Sequence, residues 1–235
     1  MEKYYIHLII IGVIILLLFF ILISRSRTRA IYKKYSKIKN STSTYGKEFA
    51  IAAKKQLKLD ITLALIDGEL TDCYSVKSKT LMMSTGTCNS NSLAAIVIIS
   101  HELGHAMQHK NKHPMLYISN FFRRLTRFTN FFIIPLALAS LVCLIIGNPI
   151  NTLLFQISMA LFGIHCFSNL LLIPLERNAS KWAMLYLKEN NYLNFNEVVR
   201  AKKLLRCASQ TYILNFLNGI LFINVFNKRK KKWVI

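Results

Sequence analysis

His101-Glu102-Leu103-Gly104-His105 places two imidazoles four residues apart, with a carboxylate between them. On a helix, positions i and i+4 share a face, so both rings can reach one ion. Glu102 is turned by about 100° from His101, which sets its carboxylate beside the ion instead of on it. This is the HExxH arrangement of zinc-dependent peptide hydrolysis. The metal acidifies a water molecule, and the carboxylate takes its proton during attack on a peptide carbonyl. The same carboxylate then passes the proton to the leaving amine. The preceding turns are almost wholly apolar, and a charge there is costly unless it has a task.

A catalytic zinc takes three protein ligands and keeps one position open. Beyond His105 the sequence contains no Asp, and its only Glu residues are Glu176, Glu189 and Glu197. Glu189 lies in a polar Lys-Glu-Asn-Asn stretch and Glu197 in a surface-like pattern. Glu176 follows Pro174 at the end of an apolar segment and opens an amphipathic run, Arg177 to Leu187. It is therefore the expected third ligand. A third histidine six residues after His105 would be the other solution, but that position is Asn111.

The remaining histidines fit ordinary roles. His109, one turn past His105, could support the site, but is expected at an exposed helix end. His165 is eleven residues before Glu176, about 16 Å away along a helix, and is expected to make a polar contact between helices. The five cysteines, Cys73, Cys88, Cys143, Cys166 and Cys207, include no CxxC pair and two in apolar runs. That excludes a disulfide framework and fits a reducing compartment.

Several elements must position these residues. Ile61 to Ile66, Leu70 to Val76 and Thr80 to Met83 read as short strands, separated by turn residues such as Asp67 and Gly68. A loop from Gly86 to Ser92 precedes the motif helix, Leu93 to His109, with Asn91 or Ser92 as its N-cap. Two apolar segments follow, Phe131 to Ile146 and Thr152 to Leu175, joined by Gly147-Asn148-Pro149. They read as a membrane hairpin. Ile6 to Ile23 is another unbroken apolar stretch and reads as an uncleaved anchor. A shorter apolar run, Tyr212 to Phe226, carries three asparagines and precedes a basic tail, so it either crosses, re-enters or lies at the interface.

Composition agrees with a membrane setting. Of 235 residues, 53% are hydrophobic and 17% charged, with 31 Lys and Arg against 10 Asp and Glu, for a net charge of +21. Basic residues flank the apolar segments instead of interleaving with aromatics, which speaks for anionic lipid and against nucleic acid. Arg25, Arg27 and Arg29 follow the first segment, placing its carboxyl side in the cytoplasm. The hairpin then returns Glu176 to the side that holds His101.

With these motifs in view, the chain resembles the YugP family of membrane zinc metallopeptidases, also called neutral zinc metallopeptidase type 2. The likeness runs from about Leu70 to the C-terminus. It rests on Leu70-Thr71-Asp72-Cys73-Tyr74, on Ser92-Leu93-Ala94-Ala95 leading into HELGHAMQH, and on Pro174-Leu175-Glu176-Arg177-Asn178-Ala179-Ser180. The resemblance implies Glu176 as a metal ligand and Asn178 as a residue orienting a ligand. Members commonly read D-H-Y-D-P where this chain has Asp72-Cys73-Tyr74-Ser75-Val76, so a His and an Asp are replaced. Tyr74 remains as a candidate oxyanion donor.

The sequence thus predicts a mainly α integral membrane protein with a zincin-like metalloprotease core and a small β element. Its expected segments are an anchor (1–23), a cytoplasmic-face domain (24–130), a hairpin (131–175), a helical segment bearing the third ligand (176–210) and a C-terminal apolar segment with a basic tail (211–235). One zinc ion, held by His101, His105 and Glu176 with Glu102 as general base, would hydrolyse peptides or membrane proteins at the bilayer surface. The competing expectation is a catalytically silent zinc-binding membrane protein that acts through protein partners.

Overall fold

The computed structural model describes residue 23, residues 26–218 and residues 231–234. The apolar stretch up to residue 22 lies outside the described residues, as do 219–230, so the expected anchor and most of the C-terminal apolar segment are not described. The order is α1 (residues 26–35), α2 (Gly46–Gln56), β1 (Thr62–Ile66), β2 (Cys73–Ser75), β3 (Thr80–Ser84), α3 (Thr85–Cys88), α4 (Leu93–Lys110), α5 (Pro114–Ile145), α6 (Ile150–Glu189), α7 (Phe195–Asn218) and β4 (Lys231–Val234). The protein is mostly helical, with one small sheet.

The chain divides into two compact units. One contains residues 28–118, 174–210 and 227–235. Its sheet runs β2-β3-β1-β4, with β1 parallel to β3 (Thr62 opposite Thr80) and β2 antiparallel to β3 (Tyr74 opposite Leu81). Strand β2 is an edge. The strands appear where β-branched and apolar residues alternate with turn chemistry, and Leu63, Leu81 and Met83 point into the core.

Helix α4 is the centre of this unit. Ser92 caps it, its Oγ accepting from the Ala95 amide at 3.2 Å. A helix apolar on nearly every side must be enclosed, and Leu93, Ile96, Val97, Ile99 and Leu103 are all buried against the sheet, α2 and the C-terminal part of α6. The expected loop before it is partly helical: Ser84 caps the short α3 by accepting from the Thr87 amide. Half-buried Asp72 fastens this corner, accepting from the Ser84 amide at 2.8 Å and from the Ser84 and Thr87 hydroxyls.

The other unit includes residues 119–173. Its parts of α5 and α6 turn over at Gly147, whose φ of 72° suits glycine, and Asn148 Oδ1 accepts from the Ile150 amide at the start of α6. Both helices are long and apolar enough to cross a membrane. Many of their large apolar side chains, among them Phe131, Ile145, Ile146 and Phe167, face outward. Polar groups turn inward instead: His165 Nδ1 meets Thr129 Oγ1 at 3.2 Å, and Asn169 donates to the His165 carbonyl. The polar contact expected of His165 is present.

Helix α6 does not restart after Pro174. The sequence reading ended an apolar segment at Leu175 and opened a second helical run at Glu176, but a single helix spans Ile150–Glu189 with Pro174 inside it. Proline costs the helix one N–H, yet its fixed φ is helical.

Candidate metal centre

Two helices of one unit build the site. His101 and His105 project from the same face of α4, and Glu176 from α6. All three are buried, Glu176 completely. Both imidazole Nε2 atoms lie 3.3 Å from the same carboxylate oxygen, Glu176 Oε2. One ligand atom from each residue falls within 4.8 Å of the others. Among the described residues no other set of three His, Cys, Asp or Glu side chains converges in this way. Cys73 and Cys88 belong to no such set, and none of the five cysteines forms a disulfide.

The donors suit zinc. Ligand atoms 2.0–2.2 Å from a tetrahedral ion stand roughly 3.3–3.6 Å apart, and the two observed separations fall at the short end of that range. Two imidazoles and one carboxylate brought together in a buried place are a donor set that a divalent cation accepts.

Each imidazole is held from behind. His101 Nδ1 meets Ser180 Oγ at 3.2 Å, and His105 Nδ1 meets Gln108 Oε1 at 2.9 Å. These bonds turn both Nε2 atoms toward Glu176, since a ring whose Nδ1 is engaged presents its other nitrogen. Gln108 is 1% exposed, and its amide nitrogen donates to the Leu175 carbonyl and to Asn178 Oδ1, both at 2.9 Å. One side chain thus ties a histidine of α4 to the turn of α6 that carries Glu176. Asn178 thus contacts the same Gln108 side chain that meets His105.

Gly104, between the histidines, permits the approach of the two helices. A Cβ there would stand 2.6 Å from the Ala179 carbonyl oxygen and 3.1 Å from its Cα. Glu176 and Ala179 are three residues apart, on one face of α6.

Glu102 is half-buried, and its Oε2 accepts from the Tyr74 backbone N–H at 2.8 Å. Burial raises the pKa of this carboxyl; His105 and His101 pull it down without cancelling the rise, and Glu176 adds to it. At His105 burial works against the imidazolium, but the Glu176 and Glu102 charges outweigh it and lift the pKa.

Two sequence expectations are corrected here. His109 is not an exposed helix end: it is half-buried, with its Nδ1 2.7 Å from the Tyr74 hydroxyl. Nothing local in the sequence signals that pairing, because the partner lies 35 residues away. Glu197 is not on the surface either. It is buried and forms a reciprocal cap with Asn194, each backbone amide donating to the other's side chain at 2.9 Å. Glu189 is exposed, as its polar context implies. Gln108 and Ser180 were missed as supporting residues. Their signals were a polar residue at i+3 from His105 and a hydroxyl one turn past Glu176.

Comparison with known proteins places these residues in context. Residues 8–226 match the family described as "Putative neutral zinc metallopeptidase". The chain is also 27% identical over 191 residues to the "Putative membrane protease YugP" of Bacillus subtilis (strain 168), covering 80% of this chain and 81% of that protein. No solved structure matches it.

Proposed function

This chain belongs to the neutral zinc metallopeptidase family, and on that premise we propose that it is a membrane-embedded, zinc-dependent endopeptidase. The observation that carries the reading is the convergence of His101, His105 and Glu176 around one point, with Glu102 tethered beside it. His101 and His105 would hold zinc through Nε2, and Glu176 through its carboxylate. When bound, zinc supplies a Lewis acid that acidifies water and polarises a carbonyl. Glu102 works next to it as general base. Its Oε2 is engaged by the Tyr74 N–H, which leaves Oε1 to take a proton and deliver it to the leaving amine. Ser180 and Gln108 keep the imidazoles aimed, and the buried surroundings limit competing water. The core around α4 and the sheet is zincin-like in this reading, with a glutamate as third ligand.

A membrane setting is supported by two long apolar helices and by a relative whose name describes a membrane protease. Basic residues after the first apolar stretch support a site on the cytoplasmic face of a multi-pass chain. Peptides and membrane proteins near the bilayer are then the substrates within reach. The test compares detergent-purified wild type with Glu102→Gln, measuring zinc content and cleavage of fluorescein-labelled casein together. The reading expects Glu102→Gln to keep zinc and lose cleavage by at least about 100-fold. Equal cleavage by both proteins, or no cleavage by either, would overturn it.

A further inference from the structure

The mechanism leaves the Tyr74 side chain and His109 with no task, although each is engaged at the edge of the site. Tyr74 is bound at both ends. Its backbone N–H donates to Glu102 Oε2 at 2.8 Å, and its hydroxyl meets His109 Nδ1 at 2.7 Å. Glu102 and His109 are seven residues apart on α4, so they stand on one face, about 10.5 Å apart along the axis. Tyr74 therefore lies along two turns of the helix that bears the motif. Its strand needs such a fastening: β2 is three residues long and, among the described residues, pairs only with β3. The ring of His109 is itself flanked by aromatic rings, Tyr74 with centroids 5.9 Å away and Tyr117 at 6.5 Å.

We propose that Tyr74 and His109 form a strut that holds the β2 amide against Glu102, making both of them positioning residues for the general base. The hydroxyl of Tyr74 then serves His109 and is not directed at a substrate oxyanion. The inference rests on the assignment of Glu102 above, although the strut itself is a property of the fold. Without the phenol–imidazole bond, β2 keeps its ladder to β3 but loses one of its two fastenings to α4. The Tyr74 amide then spends less time on Glu102, and the carboxylate samples orientations that cannot take a proton from the attacking water.

The experiment uses full-length protein in detergent, as wild type, Tyr74→Phe, His109→Phe, the double variant and His109→Gln. Zinc content, kcat and KM on fluorescein-labelled casein, and hydrogen exchange of the Tyr74 amide in 15N-tyrosine protein are measured on each. The strut predicts that each Phe variant keeps its zinc and its KM but loses about fivefold in kcat, the worth of one hydrogen bond. The double variant loses no more than either single, because both cut the same bond. His109→Gln, which can still pair with the phenol, recovers most of the loss. In both Phe variants the Tyr74 amide exchanges at least about threefold faster. Additive losses, a rise in KM alone, or failure of Gln to rescue would overturn the proposal. If the wild type cleaves nothing, the exchange data decide alone: faster exchange upholds the strut while the protease reading falls, and unchanged exchange refutes it.

Discussion

Replacing Gly104 by alanine tests whether the close approach of α4 and α6 sets the metal centre. The added Cβ would sit 2.6 Å from the Ala179 carbonyl oxygen, a backbone atom that cannot swing aside. Restoring an ordinary contact of about 3.4 Å needs the helices to part by roughly 0.8 Å. Glu176 is one turn from Ala179 and moves with it, while a zinc site tolerates ligand displacements of only about 0.2 Å. Overpacking costs about 1–3 kcal/mol, but alanine returns about 1 kcal/mol of helix propensity. Metal-free protein should therefore unfold within about 2 kcal/mol of wild type. Zinc affinity should fall by at least about tenfold. The assay is competition with a chromophoric chelator, alongside thermal unfolding of metal-free protein. Gly86→Ala is the control, since nothing lies within 4 Å of its added Cβ. It should leave zinc affinity unchanged and raise stability by no more than about 1 kcal/mol. Zinc affinity within twofold of wild type in Gly104→Ala would refute the reasoning.

Three further outcomes follow from the same geometry. Gln108→Leu removes the amide that joins His105 to the Leu175 carbonyl and Asn178, and should weaken zinc by about 10- to 100-fold in chelator competition. Ser180→Ala removes the 3.2 Å contact to His101 and should weaken it by only about two- to fivefold. Asp72 carries a pH dependence: burial outweighs its hydrogen bonds and raises its pKa above 3.8. A raised carboxyl pKa favours the folded state in acid, and that contribution is lost as pH rises through the folded-state value. Denaturant unfolding of wild type and Asp72→Ala at several pH values should therefore show their difference growing in favour of wild type toward acid pH.

Much of the site was legible because its chemistry is local or scarce. The i, i+4 spacing of His101 and His105 fixes their common face, and so few acids follow His105 that Glu176 stood out before any distance was known. Ser92 announced the start of α4, and turn residues marked the short strands. What stayed hidden depends on contacts between distant segments. The bond between Tyr74 and His109, the reach of Gln108 across to α6, and the close approach at Gly104 have no periodicity to betray them. Pro174 misled in the opposite direction, since a proline after an apolar run looks like a boundary although its backbone angle suits a helix. Glu197 misled because a reciprocal cap reads as an ordinary polar pattern until Asn194 is seen to complete it.

The central claim is that His101, His105 and Glu176 share one zinc ion, and X-ray absorption at the zinc edge of purified protein addresses it directly. The account predicts one zinc per chain, with two imidazole nitrogens and light oxygen donors at about 2.0–2.2 Å, and loss of bound zinc in Glu176→Ala. A sulfur scatterer near 2.3 Å, or an unchanged zinc environment in Glu176→Ala, would contradict it.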